Sequence, residues 1–121
     1  MGIDSETTRQ YAAYLTQNTR NPDGVLRLML GTQMIVRKDD GIRFDVHRAK
    51  HRITMAQLDY DAGMDFFKLT FFRRGKSELP GLIPGQLEPY IVKTNLFFDQ
   101  LKEVFEDVTG LSLTVPRIVF A

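Results

Sequence analysis

Two sets of residues in this chain have types and spacings that could do chemistry. The first is basic: Arg48, Lys50, His51 and Arg52, then Arg73, Arg74 and Lys76 further along. Cations gathered on one surface neutralise phosphates, and Phe71 or Phe72 beside them could offer a ring to a base. The second is Asp59-Tyr-Asp61-Ala-Gly63-Met-Asp65. Oxygens at alternate positions resemble a calcium loop, but the twelfth position counted from Asp59 is Thr70 and not the bidentate glutamate. An ordinary turn is the better reading. His47 and His51 are the only histidines. They fall at a strand end and in a loop, and no carboxylate at ligand spacing completes a metal site there. The chain has no cysteine, hence no disulfide, no thiolate zinc site and no cysteine nucleophile. It also lacks a Gly-x-Ser-x-Gly elbow and a phosphate-loop motif. No catalytic, cofactor-binding or metal-binding residue is therefore expected. An enzyme with a carboxylate site near Asp59, Asp61 and Asp65 ranks last, because a turn offers little concavity.

The elements that must position these groups centre on Arg52–Arg74. Two apolar runs flank the Asp59–Asp65 turn cluster, which predicts a β-hairpin. Ahead of it, Met34-Ile35-Val36 reads as a strand and Asp39-Asp40-Gly41 as a tight turn, with Gly41 supplying positive φ. Ile42, Phe44 and Val46 then alternate with polar residues, as in a strand with one buried face. The expected sheet spans 33–72. Tyr11, Tyr14 and Leu15 recur at helical spacing and predict an amphipathic helix over 6–18, capped by Ser5 and packed on the outside of the domain. Asn21-Pro22-Asp23-Gly24 reads as a turn, and Val25–Leu30 after it reads as a strand or, in preference, a short helix that Asp23 could cap and Gly31 would end. Residues 75–89 hold three prolines and three glycines, which predicts a long loop. Leu96, Phe97, Leu101, Val104, Phe105 and Val108 make the apolar stripe of a helix over 96–109, with Thr94 or Asn95 as cap and Gly110 as stop. The tail, 111–121, alternates and then ends apolar, as an edge strand or a docking segment would.

The expected fold is α+β, in a single domain over 1–121. It is an antiparallel meander of about four strands, with N-terminal helices and one C-terminal helix across the sheet. In such a meander the basic residues meet at one sheet end. Asp39, Asp40, Asp59, Asp61 and Asp65 meet at the other, so the molecule should be bipolar despite a formal net charge of +1. That small net charge provides no overall field toward nucleic acid or a membrane. The N-terminus is polar, and no apolar run approaches the roughly 20 residues of a membrane span.

Several stretches together carry a resemblance: Leu28-Met29-Leu30-Gly31, Ile42-Arg-Phe44, Arg52-Ile-Thr-Met55, Phe66–Arg73 and, most specifically, Asp99–Leu111. Over about 25–113 the chain resembles a group of small uncharacterised proteins of bacteriophages and prophages. The N-terminal helix, the Pro/Gly loop and the tail after Leu113 depart from that group. The resemblance carries no function. It implies a mobile-element origin and the host cytoplasm as location.

Two function classes follow. The first is a non-enzymatic binding protein, an inhibitor or accessory factor acting on a host or phage protein. Its contacts would be Leu82, Ile83 and Leu87 in the loop and Ile118 and Phe120 in the tail. Those apolar side chains need either the core or a partner, and the tail suits a homodimer. The second is nucleic-acid binding through Arg48, Lys50, Arg52, Arg73, Arg74 and Lys76, against which stands a merely solvated loop pair.

Overall fold

The structure, a computed structural model, describes residues 5–38, 40–77, 79, 81–83 and 85–114. Its elements in chain order are α1 (Ser5–Thr16), α2 (Pro22–Leu30), β1 (Ile35–Lys38), β2 (Gly41–Asp45), β3 (Ile53–Asp61), β4 (Phe66–Arg74), β5 (Leu87–Leu96) and α3 (Leu101–Thr109). One-turn 3-10 segments at Lys50–Arg52 and Phe98–Gln100 precede β3 and α3. The five strands lie in sequence order and pair antiparallel throughout. The fold is thus α+β with helices packed on an antiparallel meander, with five strands where about four were expected.

Side chains alternate across the sheet as the period of two requires. Ile42 and Phe44 of β2, Ala56 and Leu58 of β3 and Phe67, Leu69 and Phe71 of β4 all turn inward and are buried. Phe105 of α3 meets Phe44 and Phe71 with ring centroids 5.9 and 5.8 Å apart. These three rings are the centre of the core. α1 belongs to that core as well: Ala12 and Leu15 are fully buried, so the expected outer position is corrected. Its apolar stripe is narrow because Ala12 is small, and the small side chain lets the helix approach closely.

Helix ends account for several departures. α2 begins at Pro22, whose missing N–H costs nothing at the first helical position. The Asn21 side chain accepts from the Gly24 amide at 3.1 Å, so Asn21 and not Asp23 is the cap, and the expected separate turn is the helix start. Gly31 and Gly110 close α2 and α3 in the left-handed conformation. α3 starts five residues later than expected: Leu96 ends β5, and the Gln100 side chain accepts from the Phe97 amide at 2.9 Å. Thr94 and Asn95, the expected caps, lie in β5. The expected caps from Ser5 and the turn residue Asp39 lie outside the described side chains, as does the tail over 115–121. Its start, through Thr114, forms no strand; Leu113 is buried and donates its amide to Glu106 Oε2 at 2.7 Å.

β5 is the chief correction. The expected loop over 75–89 gives way at Leu87 to a ten-residue edge strand. Its pairing with β4 is interrupted twice, between Phe71 and Phe72 and between Phe67 and Leu69. Asn95, beside the second interruption, has φ +56°. Together with Pro89 and Lys93, these bulges blunt the outer edge against further strand pairing.

Candidate functional site

The meander brings the basic residues to one end. Ile53 pairs with Arg73, so the Arg48–Arg52 connection lies beside the exit of β4. Arg48, His51 and Arg52 all adopt positive φ, at +65°, +60° and +59°. Three such residues in one short connection hold it in a strained, outward form. Yet the side chains do not make one free patch. The Arg73 guanidinium lies over the Tyr90 ring, and His51 packs against the same ring at 5.8 Å. Arg74 Nη1 donates to the Gly85 carbonyl at 2.9 Å. The stem of Lys50 lies against Gly110, where its ammonium suits the negative end of α3. Of the six residues singled out, Arg48, Lys50, Arg52, Arg74 and Lys76 are exposed and Arg73 is half-buried, with Arg73 and Arg74 engaged by Tyr90 and Gly85.

Beyond this end, β4 and β5 continue into an arm. Its base is clamped by the Gly75 amide on the Gln86 carbonyl at 2.8 Å. Gly85 passes so close to the Gly75 carbonyl that a Cβ there would sit 1.8 Å from the oxygen. At the tip the Leu82 and Ile83 amides both donate to the Leu79 carbonyl at 3.0 Å. Ser77 Oγ donates to the Ile83 carbonyl and accepts from the Leu79 amide. These bonds tie the described part of the tip together, and Leu79, Leu82 and Ile83 are 50, 81 and 56% exposed. Leu87, expected to join them, is half-buried in β5, and Ile118 and Phe120 lie outside the described residues.

The acidic end corrects the bipolar expectation. Asp40, Asp59 and Asp61 do come together, because Gly41 pairs with Asp59 and the Asp40 carbonyl accepts from the Tyr60 amide at 2.8 Å. The same broad cleft, about 1390 Å³, also holds Arg37, Lys38, Arg43 and Lys68. Arg43 Nε donates to Gln57 Oε1 at 2.8 Å, and Gln57 Nε2 donates to both Asp59 oxygens. Arg43 also covers Phe72, its guanidinium carbon 4.6 Å from the ring centroid. Charges of both signs therefore share this end. Asp61 Oδ1 accepts from the Gly63 and Met64 amides, which is a turn and not a cation site.

Among the described carboxylates, Asp45 is the one whose pKa is shifted from the ordinary value. Burial pushes its pKa up, but the Met34 amide, the His47 ring at 2.7 Å and the Gln33 amide outweigh this and lower it. Asp45 sits two residues from His47 on the same side of an extended chain, a spacing that gives His47 a carboxylate partner without making a metal site. Among the described residues no cluster of three or more histidines, aspartates or glutamates could hold a metal ion. No described helix is long and apolar enough to cross a membrane. No family model, curated protein or solved structure matches the chain.

Proposed function

We propose that this chain is a non-enzymatic binding protein that recognises another protein through the tip of the β4–β5 arm. The observation that carries this reading is the exposure of Leu79, Leu82 and Ile83 on a turn tied by hydrogen bonds to the Leu79 carbonyl and to Ser77. Three large apolar side chains displayed together on a preorganised turn lose little entropy on binding, which favours insertion into a pocket. Lys76 and Arg52 on the exposed basic side suit a partner whose pocket has an acidic rim. The resemblance to small phage proteins supports a host or phage protein as that partner and the host cytoplasm as the place. A homodimer formed by pairing β5 edges is not favoured, because the bulges leave only a short regular stretch.

The test is site-specific photocrosslinking in the host cell, with the crosslinker at position 82 and, as control, at Val36 on the far edge. A discrete partner captured from position 82 alone, and lost in the Leu82→Ser/Ile83→Ser protein, supports the reading. Equal capture from both positions, or none, overturns it.

Nucleic-acid binding is the second reading, and the strained basic connection at Arg48, His51 and Arg52 favours it. Because Arg73 and His51 already occupy Tyr90, stacking on that ring is costly. Salt-titrated binding of short DNA and RNA, with Arg48→Glu/Arg52→Glu as the charge-reversed partner, separates the two readings. Binding that falls steeply with salt and is lost in that variant supports nucleic acid.

A further inference from the structure

A second site, independent of the arm, lies at the other end of β4, beside Phe67. α1 presents Gln10, Tyr11 and Tyr14 along one stripe, and the two tyrosines form one wall of a cavity of about 350 Å³. Tyr60, Phe67 and Phe98 supply further rings, and Asp65 supplies a carboxylate. That volume is at the small end of ligand pockets. The rings are set against one another edge-on or tilted. Tyr14 and Phe67 centroids are 5.5 Å apart, Tyr60 and Phe67 4.9 Å, and Tyr11 and Tyr14 6.3 Å. Gln10 Nε2 donates to the Tyr14 hydroxyl at 2.8 Å and fixes that ring from the helix side.

Asp65 is placed by backbone and side chain together. Its φ is +56°, and its amide donates to the Asp61 carbonyl at 2.7 Å. Its Oδ1 accepts from the Tyr60 hydroxyl at 2.7 Å, leaving the second oxygen for a ligand. The phenols are kept protonated: burial and Asp40 push Tyr11 up, and the hydrogen bond to Asp65 pushes Tyr60 up. The charges felt at Tyr11 are mixed, Asp40 and Asp59 against Arg37. Aromatic faces attract a cation through the ring quadrupole, and a carboxylate at the edge adds direct charge pairing. An anion would meet the Asp65 carboxylate, and a neutral apolar ligand would make no use of its second oxygen.

We propose that the pocket between α1 and the β3–β4 turn binds an organic cation, an alkylammonium or guanidinium head group held over Tyr14, Phe67 and Phe98 and paired with Asp65. The head group comes either from a free amine or from a lysine or arginine side chain of another protein. The sequence signal was present but divided, with Tyr11 and Tyr14 in the helical stripe, Asp65 in the acidic turn and Phe98 in a distant segment.

The test is an NMR titration of the full chain, labelled in its Tyr and Phe rings, with three probes: choline, its neutral carbon isostere dimethylbutanol, and N-acetyl-arginine amide. The expected result is saturable shifts confined to Tyr11, Tyr14, Tyr60, Phe67 and Phe98 with choline or the arginine amide, and none with dimethylbutanol. The tighter of the two cations names the source. Asp65→Asn, which keeps an acceptor and tolerates positive φ, should weaken binding about tenfold. Phe98→Ala, at a half-exposed position, should weaken it roughly three- to tenfold. Absence of shifts with both cations, equal shifts from dimethylbutanol, or unchanged affinity in Asp65→Asn would overturn the proposal.

Discussion

The Arg73 guanidinium carbon stands 3.8 Å from the centre of the Tyr90 ring, so β4 and β5 are joined by a cation–π contact as well as by their ladder. The contact sits just before the arm and covers the ladder next to the Phe71–Phe72 bulge. Removing the ring with Tyr90→Leu should lower stability by about 0.5–1 kcal/mol, the range for such a contact at an accessible site. Urea unfolding with an unchanged slope would check it.

Gly41 has no room for a side chain: a Cβ would fall 1.7 Å from the Leu58 carbonyl oxygen. The expectation of positive φ here is corrected, since the residue is required for close approach of β2 to β3. Gly41→Ala should destabilise by about 1–3 kcal/mol or more through forced separation of the strands. The same unfolding experiment reads it, and an effect below the lower figure would mean that the strands part easily.

Asp45 should give the protein a distinct acid limb. Its folded pKa is below the ordinary 3.8, so the folded carboxylate keeps its charge to lower pH than the unfolded one. The stabilisation is fully present above that ordinary value and is lost as pH falls below it. Asp45→Ala should therefore cost about 1–2 kcal/mol near pH 6, by orphaning the Gln33 and Met34 amides, and less near pH 3. Equal cost at both pH values would remove Asp45 as the source.

Phe105 bridges helix and sheet through Phe44 and Phe71. Phe105→Ala should cost about 3–5 kcal/mol, a large share of the roughly 5–15 kcal/mol that holds an ordinary domain, and lower the thermal transition markedly. Calorimetry would decide.

Leu82→Ser/Ile83→Ser, by contrast, should change stability by no more than about 0.5 kcal/mol, because both side chains are largely exposed. A larger loss would mean that the tip is part of the core, and the protein-binding reading would lose its basis.

The meander was legible because Ile42-Arg-Phe44 and the runs around Asp59–Asp65 alternate or break at a turn, and these are local signals. β5 was not, because Pro89 and the glycines before it read as loop, although Tyr90-Ile91-Val92 is a β-branched and aromatic run. Bulges absorb the proline, and no pattern of period two survives two of them. The convergence of Arg52 with Arg73 followed from topology alone. What the side chains do there did not, since whether an arginine faces water or lies on Tyr90 depends on a strand that the pattern concealed. The aromatic pocket was out of reach for the same reason: its walls come from four segments whose nearness is set only by packing.

In the arm, the bonds that hold the turn run through the backbone and Ser77, and the side chains of Leu79, Leu82 and Ile83 are not among their donors or acceptors. Foldability and choice of contact are thus inherited separately. A lineage of such chains can exchange the three tip side chains freely and test new surfaces, with the sheet beneath as an unchanging handle.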